Sequence, residues 1–245
     1  MHRLLKGLKN RLRLAFMPGA DIFTRRRERL SLYWKNGRRR VLDAGCGNGW
    51  FTYLAYGTGA EAVGVNFDEG QVRKAKEFYN EWMRIPEHRL KFLKTNLYEL
   101  DSLEPGFDEI ICYETLEHVK RDDEVCRSFY RLLRPGGFLH LCCPNAEHPK
   151  WANETLDLEE KGYHVRAGYT LESYKKLLEP IGFSVTASEG VGGRALVAAH
   201  RTVDWFRRRI GDAASLPVVM LAEPFVRLDP NVHDNPFCLY VKAVK

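Results

Sequence analysis

No apolar run in the 245-residue sequence approaches the roughly 18 to 20 residues that a membrane-spanning helix needs. The best stretch, Leu216 to Val226, is short and broken by Pro217 and Pro224, so no bilayer-crossing helix is expected. The N-terminus, MHRLLKGLKNRLRLAF, lacks the uncharged core of a secretory signal, because Lys and Arg are scattered through it. The six cysteines form no C-x-x-C pair, and several sit in apolar strand-like runs where cysteine behaves as a small hydrophobe. That pattern fits a reducing, cytoplasmic setting and no disulfide framework. His140, Cys142, Cys143 and His148 alternate between faces of one strand and match no zinc spacing, so no metal site is expected. Internal repeats and low-complexity stretches are also absent, which excludes solenoids and collagen-like rods. What remains, 44% hydrophobic and 29% charged, is the composition of one soluble domain.

Acid is scarce at the start: none precedes Asp21, and residues 1–40 carry 13 Lys and Arg against 2 Asp and Glu. The whole chain is only +6, so the body is mildly acidic. A basic arm on an acidic body points to an anionic membrane surface, to RNA, or to nothing specific. Leu4, Leu5, Leu8 and Leu12 share one helical face opposite Arg3, Lys6 and Arg13. Such a helix suits a membrane interface, the domain's own surface or a transit peptide. Residues 1–37 are therefore set apart as a basic segment ahead of a domain over 38–245.

From residue 38, short apolar runs alternate with helical patterns, the signature of β-α-β units. Seven strands are expected: Arg39 to Asp43, Ala60 to Val65, Leu90 to Lys94, Phe107 to Cys112, Phe138 to Cys143, Phe183 to Ser188 and Phe237 to Val244. Val72, Ala75, Tyr79, Trp82 and Met83 recur at helical spacing, and a second helix from Asp122 ends at Arg134-Pro135-Gly136-Gly137. If the sixth strand is parallel to the others, the long connections over 144–169 and 189–236 both start at the carboxyl edge of the sheet, where open α/β sheets bind ligands. The second reads as two helices, one through Leu196, Val197, Val203, Phe206 and Ile210, the other through Leu216, Val218, Val219, Leu221 and Phe225. They suit a greasy, basic-rimmed cap, a homodimer interface or plain packing onto the sheet.

The strongest local signal is Val41-Leu42-Asp43-Ala44-Gly45-Cys46-Gly47-Asn48-Gly49, a strand entering a glycine-rich turn before a helix. Glycines permit unusual dihedrals and close ligand approach, and the helix start offers unpaired N–H groups. An acid ahead of G-x-G-x-G repels a pyrophosphate and suits a cationic ligand, favouring the amino group and sulfonium of S-adenosylmethionine over a dinucleotide.

With AVGVNFDEGQVRKAK, FDEIICYETLEHV and RLLRPGGFLHLCCPN following in order, the chain resembles the seven-stranded Rossmann-like S-adenosylmethionine-dependent methyltransferases. The last two segments are most similar to the branch of ubiquinone-biosynthesis and natural-product O-methyltransferases. The resemblance spans about residues 38–188 and implies an α/β, doubly wound, mostly parallel seven-stranded sheet with an antiparallel last strand and a helical insertion before it. It implies S-adenosylmethionine as cofactor, with Asp43, Gly45 and Gly47 holding its methionine end. Asn66 stands where many members place a ribose-binding acid, a departure that costs charge assistance; Gln71 five positions on matches a variant pattern. The resemblance also places Phe67 against the adenine, Asn96 at its amine, and the backbone of Tyr113 beside the cofactor. A core role for Phe67 is the alternative.

A hydroxyl acceptor benefits from a base titrating near neutrality. His118 in Leu116-Glu117-His118-Val119 and His164 on the long loop are the two candidates, with Glu114 and Glu117 as orienting or substrate-contacting acids. Each histidine has a plain turn-capping role as its alternative. No N-P-P-[YFW] segment for base methylation, nucleophile elbow or magnesium-type ligand set is evident. The expected activity is methyl transfer to a small-molecule or lipid-linked acceptor, at oxygen, with peripheral contact to a membrane through the N-terminus. An RNA methyltransferase using the basic arm, with nucleic acid the less favoured partner, and an inactive scaffold of the same fold are the rivals.

Overall fold

The computed structural model describes residues 10, 22–151, 155–157, 159–160, 162–229 and 235–245. The amphipathic helix expected around Leu4 to Arg13 lies outside the described residues.

Seven strands form one sheet in the order β3-β2-β1-β4-β5-β7-β6. They are β1 Arg40–Ala44, β2 Glu61–Asn66, β3 Leu90–Lys94, β4 Phe107–Tyr113, β5 Leu133–Pro144, β6 Ser184–Val191 and β7 Cys238–Val244. Neighbours from β3 to β5 pair in parallel, while β7 runs antiparallel to both β5 and β6. The central strands are near-continuous apolar runs because both faces are covered, as parallel sheets require. Pairing of β5 starts earlier than expected: Leu133 lies opposite Phe107, and a register shift before Glu109 absorbs the Pro135-Gly136-Gly137 turn.

The covering helices are α1 Ile22–Arg27, α2 Trp50–Gly57, α3 Glu69–Ala75, α4 Asp122–Leu132, α5 Leu171–Leu178, α6 Arg194–Ala214 and α7 Leu216–Leu228. Asp68 caps α3 by accepting from the Gly70 and Gln71 N–H groups, and Thr170 with Ser173 makes a reciprocal capping box on α5. Beyond Ala75 the helix widens into a π-helix over Lys76–Trp82 rather than continuing as α. The extra residue per turn stacks Tyr79 between Tyr53 and Phe92, at 5.2 and 5.5 Å between ring centres.

Residues 22–37 do not stand apart from the body. Trp34 is buried and donates to the Tyr113 hydroxyl at 3.2 Å, the Lys35 N–H donates to Glu109 at 2.8 Å, and Tyr33 bonds Glu189. Leu30 and Trp34 belong to the main apolar core, so contacts run uninterrupted across the boundary drawn at residue 38. All six cysteines are free and buried. Among the described residues no helix is long and apolar enough to cross a membrane.

Candidate active site

The sheet order reverses direction between β1 and β4, the switch point where open α/β sheets leave a crevice at their carboxyl ends. A cavity of about 390 Å³ lies there, and its wall includes Gly45, Gly47, Asn66, Phe67, Asn96 and His118. A larger hollow of about 480 Å³ sits at the opposite, amino edge beside Arg40, Glu87 and His88, where no glycine turn or helix start faces it. Chemistry, not size, selects the first.

Gly45 and Gly47 have φ of +82° and +50°, the left-handed region that favours glycine. A Cβ on Gly45 would fall 2.3 Å from the Thr115 hydroxyl, so the turn is pressed against the β4 loop. Asp43 does not reach the wall. It is 3% exposed, accepts from the Thr52 hydroxyl at 2.6 Å, and burial pushes its carboxyl up to about 7. Its place is beneath the turn, holding β1 to α2.

Asn66 and Asn96 reach the wall, but each amide oxygen first serves its own loop. Asn66 accepts from the Asp68 N–H at 2.8 Å, and Asn96 from the Tyr98 N–H at 3.1 Å. One lone pair on each oxygen is left for a ligand. Phe67 is 73% exposed, which removes the core alternative. Tyr113 is turned away: its ring is buried against Phe51, its hydroxyl accepts from Trp34, and its carbonyl accepts from Thr115 at 2.9 Å. The next residue, Glu114, takes the wall position with φ of +48° and pairs with Arg27 at 3.0 Å.

The loop after β5 folds back over this edge. Arg166 bonds Asp122 and donates to the carbonyls of Val119 and Lys120, while the Val165 N–H donates to the Glu117 carbonyl at 2.8 Å. Its return brings the two candidate histidines together, with ring centres 4.8 Å apart. His118 lines the cavity and its Nδ1 lies 2.9 Å from the Tyr163 carbonyl. A carbonyl only accepts, so the proton sits on Nδ1 and the lone pair on Nε2. His164 stands behind His118, against Trp151, and is not on the wall.

Glu117 is fully buried, with its Oε1 3.8 Å from His118 Nε2. Burial, reinforced by Glu114, pushes its carboxyl up to about 8. Contrary to the expectation of no metal ligands, Glu117, His118 and His164 present ligand atoms within 4.8 Å of one another, a set able to hold a divalent cation. The raised value has a measurable consequence. Between about 4.5 and 8 the folded chain keeps a proton on Glu117 that the unfolded chain has released, so stability falls as pH rises. The slope from this group is at most about 1.4 kcal/mol per pH unit. Urea unfolding across that range is expected to show a flatter profile for Glu117→Gln; identical profiles mean that Glu117 is ionised in the fold.

Sequence reading missed Thr95, Tyr98, Thr115 and Glu160 on the wall, and Arg27 behind it. Thr95 directly follows the expected third strand and Thr115 lies three residues past the expected fourth, a usable signal; Glu160 and Arg27 carried none.

A family model described as a methyltransferase domain matches residues 14–188. Sterol 24-C-methyltransferase of Pneumocystis carinii is 29% identical over 179 residues, covering 70% of this chain and 45% of that protein. Ubiquinone biosynthesis O-methyltransferase of Dechloromonas aromatica is 32% identical over 133 residues, covering 51% of this chain and 56% of that protein. The chain thus spans about half the length of these curated relatives. Among solved structures, phosphoethanolamine N-methyltransferase 2 of Haemonchus contortus, in complex with S-adenosyl-L-methionine, superposes with a TM-score of 0.64 at 18% identity, covering 91% of this chain and 52% of that one. Strand order, glycine turn and family match agree: the chain belongs to the class I S-adenosylmethionine-dependent methyltransferases.

Proposed function

We propose that this chain transfers the methyl group of S-adenosylmethionine to an oxygen of a small-molecule or lipid-linked acceptor, with His118 as general base. The observation that carries the reading is a histidine on the cavity wall whose Nδ1 lies 2.9 Å from the Tyr163 carbonyl and whose Nε2 lies 3.8 Å from the Glu117 carboxyl, so both ring nitrogens are held in a defined orientation. The cofactor supplies a methyl carbon already activated by positive sulfur, so the protein's task is alignment and control of one proton. Gly45 and Gly47 allow close approach of the ligand, Phe67 offers a face for the adenine, and Asn66 and Asn96 offer amide groups to the ribose and base. Glu114 and Glu160 make the wall acidic, which favours a cationic ligand. His118 Nε2 takes the hydroxyl proton as the oxygen–carbon bond forms and the carbon–sulfur bond breaks.

Sterol and ubiquinone relatives support a lipid-like acceptor, and the latter supports oxygen. Calorimetric titration with S-adenosylmethionine and S-adenosylhomocysteine, followed by radiolabelled methyl transfer into quinone and polar-lipid extracts, tests the reading. Micromolar binding and a labelled, base-stable ether are expected. No binding by the folded chain overturns the reading in favour of a scaffold. Repeating the transfer after dialysis against a chelator decides the role of the Glu117, His118 and His164 set. Undiminished label assigns those side chains to proton handling, whereas loss restored by a divalent cation assigns them to metal binding.

A further inference from the structure

Helix α7 meets the body through Val219 and Val226, which are 6% and 0% exposed. Its outward stripe, Pro217, Met220, Leu221, Pro224 and Phe225, follows helical spacing and holds no charge. Leu221 and Phe225 are 74% and 68% exposed, and neighbouring α6 adds Trp205 and Ile210, each 50% exposed. The inner face of α6 is already satisfied, with Leu196 and Val203 both 1% exposed. The outer residues are therefore not a core face awaiting the sheet. Grouped exposed apolar residues of this kind mark an interaction surface.

Exposed Arg201 and Arg209 flank the apolar residues along α6, together with Arg208, which also pairs with Asp204 at 2.9 Å. The Arg209 guanidinium lies 3.7 Å over the Trp205 ring, so charge and aromatic face are presented together. We propose that the outer face of the α6–α7 hairpin docks on an anionic lipid bilayer, whichever acceptor the cavity takes. An apolar helical stripe beside a basic flank with an indole between them is the chemistry of an interfacial helix: the stripe reaches the acyl boundary while the arginines meet headgroup phosphates. The hairpin lies on the surface, since α7 over Leu216–Leu228 is too short to span.

The hairpin is also tied to the edge of the sheet that holds the cavity. His200 of α6 lies 3.3 Å from the Lys150 ammonium, Lys150 sits over the Trp151 ring, and Trp151 packs on His164. Docking would thus fix the catalytic edge relative to the bilayer.

Co-sedimentation of the 245-residue chain with vesicles of phosphatidylcholine alone, or of phosphatidylcholine mixed with phosphatidylglycerol, tests the proposal. Binding at least about tenfold tighter to the anionic vesicles, weakened by salt, is expected. The double substitution Leu221→Ser with Phe225→Ser should lower that binding about tenfold or more, because two large side chains no longer enter the interface. Both sites are exposed, so the melting temperature and S-adenosylmethionine affinity should be unchanged. Three results overturn the proposal: no binding to anionic vesicles, undiminished binding by the double variant, or a dimer that the same substitutions dissolve.

Discussion

In a His118→Gln variant, methyl transfer is expected to fall about 10²–10⁴-fold while affinity for S-adenosylmethionine stays within about threefold. Glutamine keeps much of the wall, but its amide has no lone pair of useful basicity. The loss should lie in kcat rather than KM, since the proton moves only in the transition state. Label transferred into the extract fraction that accepts it, followed with time for both proteins, measures the ratio. A pH–rate profile adds a second readout: the acidic limb belonging to the base should vanish in the variant. An unchanged rate would mean that the proton leaves by another route, as it would from an acceptor that needs no base. His164→Gln serves as the contrast. Its ring stands behind His118 and off the wall, so a smaller loss of about tenfold or less is expected unless the pair holds a cation.

The second large effect is expected at the glycine turn. Gly45→Ala places a Cβ 2.3 Å from the Thr115 hydroxyl and 2.5 Å from its methyl group, at a φ of +82°. Thr115 is β-branched and short, so it cannot swing aside as a long side chain would. The turn must shift, and with it the backbone that approaches the ligand. Affinity for S-adenosylmethionine should drop about 100-fold, equivalent to about 2.7 kcal/mol. Gly47→Ala is the control: its new Cβ meets no atom within 4 Å, leaving only the cost of a positive φ. That variant should lose less than about tenfold. Calorimetry on both proteins decides, and equal losses would show that backbone strain rather than the Thr115 collision governs the turn.

The fold was legible because its signals are local and periodic. β1 and its turn announce themselves by apolar residues running into glycines, and α4 by a clean stripe ending at Gly136 and Gly137. What resisted reading was partnership across long separations. Nothing near Arg27 says that it will meet Glu114, and nothing near His164 says that its loop returns to His118. Periodicity identifies a stripe on α7, yet it does not say which of two apolar faces turns inward. Leu221 and Phe225 share the sequence character of Val219 and Val226, and tertiary packing alone separates them. The π-helix eluded reading because Tyr79, Trp82 and Met83 suit α spacing equally well. At the site itself, Asp43 and Tyr113 show that a motif position and a wall position differ: both residues sit one layer beneath the surface they support.

The placement of β7 has a consequence for how the chain emerges from the ribosome. β5 and β6 never touch; β7 separates them and pairs with both along their lengths. Yet β7 is synthesised last of the three, after α6 and α7. At about 5–20 residues per second, the facing edges of β5 and β6 stand unpaired for several seconds. Unpaired strand edges recruit other chains. The half of the sheet that carries the glycine turn can meanwhile assemble from β1 to β5, so the ligand crevice forms before the sheet closes. A nascent chain that binds cofactor early would hold that half together during the interval when aggregation is the competing fate.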